Sequence, residues 1–175
     1  MAASVSNAQT FFGAKSGIMI SSGGSETQSN ASLYAGGFVE LRRENWSLQS
    51  EVNYLDVGSR GRSRITVDET IESTTKIKQV NFSLLAKYYI SDLISIKAGG
   101  YYGTIISSER IASSPKYEGM KLSGKYKPSD YGIETGIEFL ISNGIFADAK
   151  YSFGIADLNN NYKNRIISLG IGCKF

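Results

Sequence analysis

Period two runs through this chain almost from end to end. Eight segments of about ten residues alternate apolar side chains with small or polar ones, the pattern of strands that have one apolar and one polar face. The apolar face carries Phe12, Ile18 and Ile20 in the first segment, Leu33, Val39 and Leu41 in the second, and Trp46, Leu48, Val52 and Tyr54 in the third. It continues through Val80 to Tyr88, Ile94 to Tyr102, Tyr131 to Phe139, Ala147 to Phe153 and Ile167 to Phe175. The connections alternate in length: long at 21–32, tight at 42–45, long at 58–75, tight at 91–92, long at 107–129, tight at 142–144 and intermediate at 157–164. No apolar run approaches the roughly 18 residues that a membrane-crossing helix needs. A chain of this kind crosses a bilayer only as a closed barrel, in which every backbone group is satisfied between strands.

Composition agrees with strands. Gly (19), Tyr (11) and Phe (8) are frequent and Pro is rare (2), which suits strands and turns better than helices. At 175 residues the chain has room for one domain, taken as 11–175, preceded by a tail at 1–10. Within the tail, Ser6, Asn7 and Ala8 before Gln9 read either as the end of an export signal or as a plain unstructured terminus.

Alternation alone leaves open whether the apolar face points inward, as in a soluble carrier with a lipid-binding cavity, or outward into a bilayer. Three features favour outward. The polar face carries Lys15, Glu40, Glu51, Lys87, Lys97, Glu134, Glu138, Asp148, Lys150 and Lys174, acids and bases in equal number, interspersed with nine glycines. Glycine suits a narrow lumen where long side chains need room better than it suits a water-exposed strand. Secondly, the apolar-face aromatics gather at strand ends: Phe12, Trp46, Tyr88, Phe139 and Phe175 beside the short turns, Tyr54, Tyr102, Tyr131 and Phe153 beside the long connections. Trp46 to Tyr54 spans roughly 20 Å of height at ~3.3 Å per residue and about 40° of tilt. Membrane barrels have an apolar band about 25 Å tall between two such aromatic girdles. Thirdly, the sequence ends on four alternating residues and an aromatic, Phe175, which resembles the terminal signal read by the outer-membrane assembly machinery.

The ordered set FFGAKSGIM, WSLQSEVNY, FSLLAKYYISD, SIKAGGYYG, YGIETGIEF, NGIFADAKYSFGIADLNN and KNRIISLGIGCKF resembles the outer-membrane β-barrel domain family that includes PorT-like proteins. In layout it is similar to the eight-stranded OmpA and OmpX barrels. The resemblance covers nearly everything from Phe11 to Phe175. It implies an all-β, eight-stranded antiparallel up-and-down transmembrane barrel, with short periplasmic turns, long extracellular loops and both termini in the periplasm. It implies no catalytic signature; its PorT-like members suggest a minor alternative, a link to protein secretion.

The chemistry available is narrow. There is no His, which removes Ser–His and Cys–His nucleophiles and His-ligated metals, and the lone Cys173 forms neither an internal disulfide nor a metal site. No cofactor or metal is expected. A carboxylate pair, Glu134 with Glu138 or with Asp148, is the remaining catalytic route. The five lysines on the same face make mutual neutralisation the simpler role, because buried charge must be paired. The net charge of +3 comes from 19 basic and 16 acidic residues without a basic stripe, so nucleic acid is not a partner.

Arg60, Arg62 and Arg64 form the one local basic cluster, expected in an extracellular loop, either as a contact for phosphate or acidic ligands or as a solvated loop balanced by nearby acids. The expectation is a monomeric, non-enzymatic barrel with a largely closed lumen that displays loops to a surface or envelope partner. The alternative is a narrow channel for ions or very small solutes.

Overall fold

Eight long strands follow one another along the chain: β1 (Gln9–Ser22), β2 (Asn30–Arg43), β3 (Trp46–Arg64), β4 (Thr70–Tyr89), β5 (Ile94–Ala112), β6 (Ser129–Ser142), β7 (Ile145–Asn159) and β8 (Tyr162–Lys174). The computed structural model describes residues 8–22, 27–28, 30–64, 70–112, 129–159 and 162–175, and side chains for 8–21, 31–56, 78–107, 129–155 and 165–175. Residues 1–7, most of the tail expected to be the end of an export signal or an unstructured terminus, lie outside the described residues. Each strand pairs antiparallel with the next in sequence, and β1 pairs with β8 from Gly13↔Lys174 to Ser22↔Arg165. Reciprocal backbone bonds between Phe12 and Phe175, 3.0 and 2.9 Å, finish the seam. The sheet is a closed up-and-down barrel.

The tight turns have local causes. Asn143 and Gly144 both take positive φ, 30° and 86°, as an Asn-Gly hairpin requires. Glu44 turns the β2–β3 hairpin at φ 55°. In the β4–β5 turn the Ser91 hydroxyl accepts from the amides of Leu93 (3.3 Å) and Ile94 (3.1 Å).

The two faces separate by chemistry. Trp46 is 61% exposed, and Leu33, Leu84, Ile133 and Ile171 are likewise on the outer wall, while Lys87 is 0% exposed inside. An apolar exterior around a charged interior suits a barrel surrounded by hydrocarbon.

The strands are longer than the period-two pattern indicated. Segments read as loops at 58–75 and 107–129 are in part strand: β3 pairs with β4 as far as Arg64↔Thr70, and β4 pairs with β5 as far as Ser73↔Ala112. A two-residue strand, Thr27–Gln28, pairs with Gly61 and Arg60. Strands also extend into 21–32 and 157–164, and β1 begins at Gln9. The reason is physical: outside a bilayer both faces of a strand meet water, so backbone pairing continues while apolar alternation stops. At 19 residues, β3 is roughly 48 Å tall at ~3.3 Å per residue and about 40° of tilt, well beyond an apolar band of about 25 Å. A three-stranded wall therefore rises past the band at the end opposite the short turns.

Candidate functional site: the charged lumen

Successive strands point every second side chain inward, and the barrel register brings all ten polar-face charges into one network. Near the short turns, Lys87 donates to Glu138 at 2.6 Å, to Glu40 at 3.1 Å and to the Gln49 side-chain oxygen at 3.4 Å. The Tyr89 hydroxyl donates to Glu40, and Lys174 lies 3.6 Å from Glu138. The Arg42 guanidinium stacks 3.7 Å above the Tyr89 ring.

At mid-height Glu51 is the hub. Lys15 (2.9 Å), Lys150 (3.0 Å) and Lys97 (3.7 Å) converge on it, and the Gln49 and Asn53 amides donate at 2.8 and 3.1 Å. Lys97 donates to Asp148 at 2.6 Å and lies 3.7 Å from Glu138, joining the two tiers. Lys150 and Ser152 donate to Glu134 at 2.9 and 2.8 Å. Removing a charge from water costs several kcal/mol per ion unless partners and hydrogen bonds compensate it. Here each of these carboxylates has at least one lysine partner, and Glu138 Oε2, which accepts no hydrogen bond, faces the Lys97 ammonium at 3.7 Å.

Above this layer Met19, Tyr34, Leu55 and Ile166 form an apolar cluster, and the Tyr101 hydroxyl donates to Asp130 at 3.1 Å. Two straps cross the β1–β8 seam on its inner side. Tyr34 on β2 reaches over Gly17 and Gly170, which face each other across the seam, and donates to Asp148 on β7 at 3.1 Å. A methyl group on Gly170 would overlap the Tyr34 hydroxyl oxygen. Nearer the short turns, Phe38 lies over Gly13 and Phe146 over Gly172, and the two rings meet edge to face at 5.6 Å.

The inward Tyr34, Tyr89, Tyr101, Gln49, Asn53 and Asp130 were not among the candidates from sequence. Their signal was available as parity: Tyr34 is in phase with Glu40, and Gln49 and Asn53 with Glu51. Of the carboxylates offered as a catalytic pair, Glu134 is held by Lys150 and Glu138 by Lys87, while the Lys97 ammonium lies between Glu138 and its cross-strand partner Asp148, so each is engaged by a lysine. Among the described residues no cluster of three metal-ligating side chains occurs.

The aromatics lie on the outer wall: Phe12, Trp46, Phe139 and Phe175 exposed and Tyr88 half-buried at one end, Tyr54, Tyr102 and Tyr131 exposed and Phe153 half-buried towards the other. Arg60, Arg62 and Arg64 stand on the β3 extension opposite Thr74, Glu72 and Thr70, in strand rather than loop; their side chains lie outside those described.

A closed ring of eight strands, charged within and apolar without, defines an integral membrane β-barrel. The chain belongs to the outer membrane protein beta-barrel domain family, which matches residues 5–160, and is thus a protein of the bacterial outer membrane. Its fold is similar to Neisserial surface protein A (15% identity, 97% of this chain and 99% of that chain, TM-score 0.57). It is also similar to Ail, the attachment invasion locus protein of Yersinia pestis (14%, 95% and 97%, TM-score 0.56), and to OprG of Pseudomonas aeruginosa (12%, 94% and 95%, TM-score 0.57). These likenesses concern the fold. No curated protein matches the sequence.

Proposed function

We propose that this protein is a non-enzymatic outer-membrane barrel whose lumen is closed and whose β3–β5 wall serves as a contact surface for a partner outside the cell. The observation that carries the closed lumen is the packing of its charges: Lys87, Glu40 and Glu51, with Leu85 and Phe146, are almost wholly without solvent exposure at successive heights. Eight strands leave an interior about wide enough for side chains to fill. The contact role rests on the extension of three paired strands beyond the apolar band, since recognition concentrates on segments held by a rigid scaffold. In this reading the short turns and both termini face the periplasm, and Phe175 is the handle for the assembly machinery.

Solute efflux from lipid vesicles tests it, using protein refolded from urea and a heat-sensitive gel shift to establish insertion. Insertion without efflux is expected. Efflux graded by solute size would overturn the closed lumen in favour of a narrow channel.

A further inference from the structure

One row on the outer wall departs from its neighbours. Ala86, Ala98 and Thr135 are consecutive cross-strand partners on β4, β5 and β6, all facing outward. The row nearer the short turns carries Tyr88, Ile96 and Ile137, and the row on the other side carries Leu84, Gly100 and Ile133, so its large side chains stand only at the flanks. With Trp46, Tyr88 and Ile96 they line a groove of about 330 Å³. This lies in the range of roughly 300–1,000 Å³ typical of small-ligand sites. Lys97 contributes only backbone, because its side chain is buried in the lumen. The Trp46 and Tyr88 rings meet at 4.7 Å, tilted 54° to one another, and form one wall of the groove.

The groove starts at the Trp46–Tyr88 girdle and runs into the apolar band, where an acyl chain matches its lining, and it opens next to two short turns. The Tyr89 amide donates to the Asn45 carbonyl at 2.8 Å, which ties those turns together. They display Arg43, the cross-strand partner of Trp46, with Glu44 and Asp92, all exposed. One cation beside two carboxylates complements a headgroup that carries both a phosphate and an ammonium, and disfavours a purely anionic one. We propose that this groove binds one acyl chain of a zwitterionic amino-phospholipid from the leaflet at the short-turn end. The phosphate faces Arg43, and the ammonium faces Glu44 and Asp92. The site is independent of whether the lumen conducts.

Trp46 is the only tryptophan in the chain and forms a wall of the groove, so it reports occupancy. The test refolds the protein into phosphatidylcholine vesicles containing a minor fraction of chain-brominated lipid with a phosphoethanolamine, phosphocholine or phosphoglycerol head. Brominated phosphoethanolamine lipid should quench Trp46 roughly twofold more than the others at equal mole fraction. Ala98→Leu should abolish that excess with the gel shift retained. Asp92→Asn, which leaves the wall untouched, should reduce the headgroup preference alone. Quenching by phosphocholine or phosphoglycerol lipid that equals or exceeds that by phosphoethanolamine lipid, or an excess that survives both Ala98→Leu and Asp92→Asn, would overturn the site.

Discussion

Lys87 and Lys97 are direct cross-strand partners on β4 and β5, both inside the lumen, and the Glu138 carboxylate lies between them, 2.6 Å from one ammonium and 3.7 Å from the other. Like charges directly opposite each other destabilise a sheet. Here a third strand supplies the carboxylate that makes the juxtaposition tolerable, so the charges act as a lattice and not as isolated pairs.

Glu138→Gln should therefore be costly. It removes the carboxylate that Lys87 and Lys97 share, but Lys87 keeps Glu40 and Lys97 keeps Asp148 and Glu51. The loss should be about 1.5–3 kcal/mol, that of a hydrogen bond to a charged group, and not the roughly 3–5 kcal/mol of a buried ion left wholly unpaired. Urea unfolding in lipid vesicles should show the smaller loss, and Lys87→Gln added to Glu138→Gln should recover part of it. An unchanged midpoint for Glu138→Gln would refute the lattice.

The seam strap is separately measurable. Tyr34→Phe removes one hydrogen bond to a charged acceptor, a loss of about 1.5–3 kcal/mol, and should speed unfolding. Gly170→Ala forces the same ring off the seam and should be no milder. Because both act through one contact, their combination should cost less than the sum of the single changes.

Phe38 and Phe146 should also be coupled. A double-mutant cycle with Leu at each position should return about 0.5–1.5 kcal/mol for the edge-to-face contact. Additive effects would mean that the rings close the lumen independently of each other.

Bilayer placement predicts a gradient along the outer wall. Leu84→Arg, on the exposed face within the band, should cost about 2–4 kcal/mol, whereas Asp56→Arg, past the Tyr54 girdle, should cost about 0–1 kcal/mol. Equal costs at the two positions would mean that the band is misplaced.

Strand number, the tight turns and the side of the wall taken by each charge were legible in the chain, because side-chain direction in a strand is a matter of parity and turn chemistry is local. Asn143-Gly144 makes its turn by itself, and Lys15 and Glu51 face inward because their neighbours face out. Two things were not legible. The continuation of β3, β4 and β5 beyond the bilayer has no alternation to mark it, since both faces there are wet. The partners of each charge depend on the stagger with which eight strands close: nothing near Glu51 in sequence indicates that Lys15, Lys97 and Lys150 converge on it, or that Tyr34 spans two glycines to reach Asp148. Parity is decided residue by residue, whereas register around a ring is decided only when β8 meets β1.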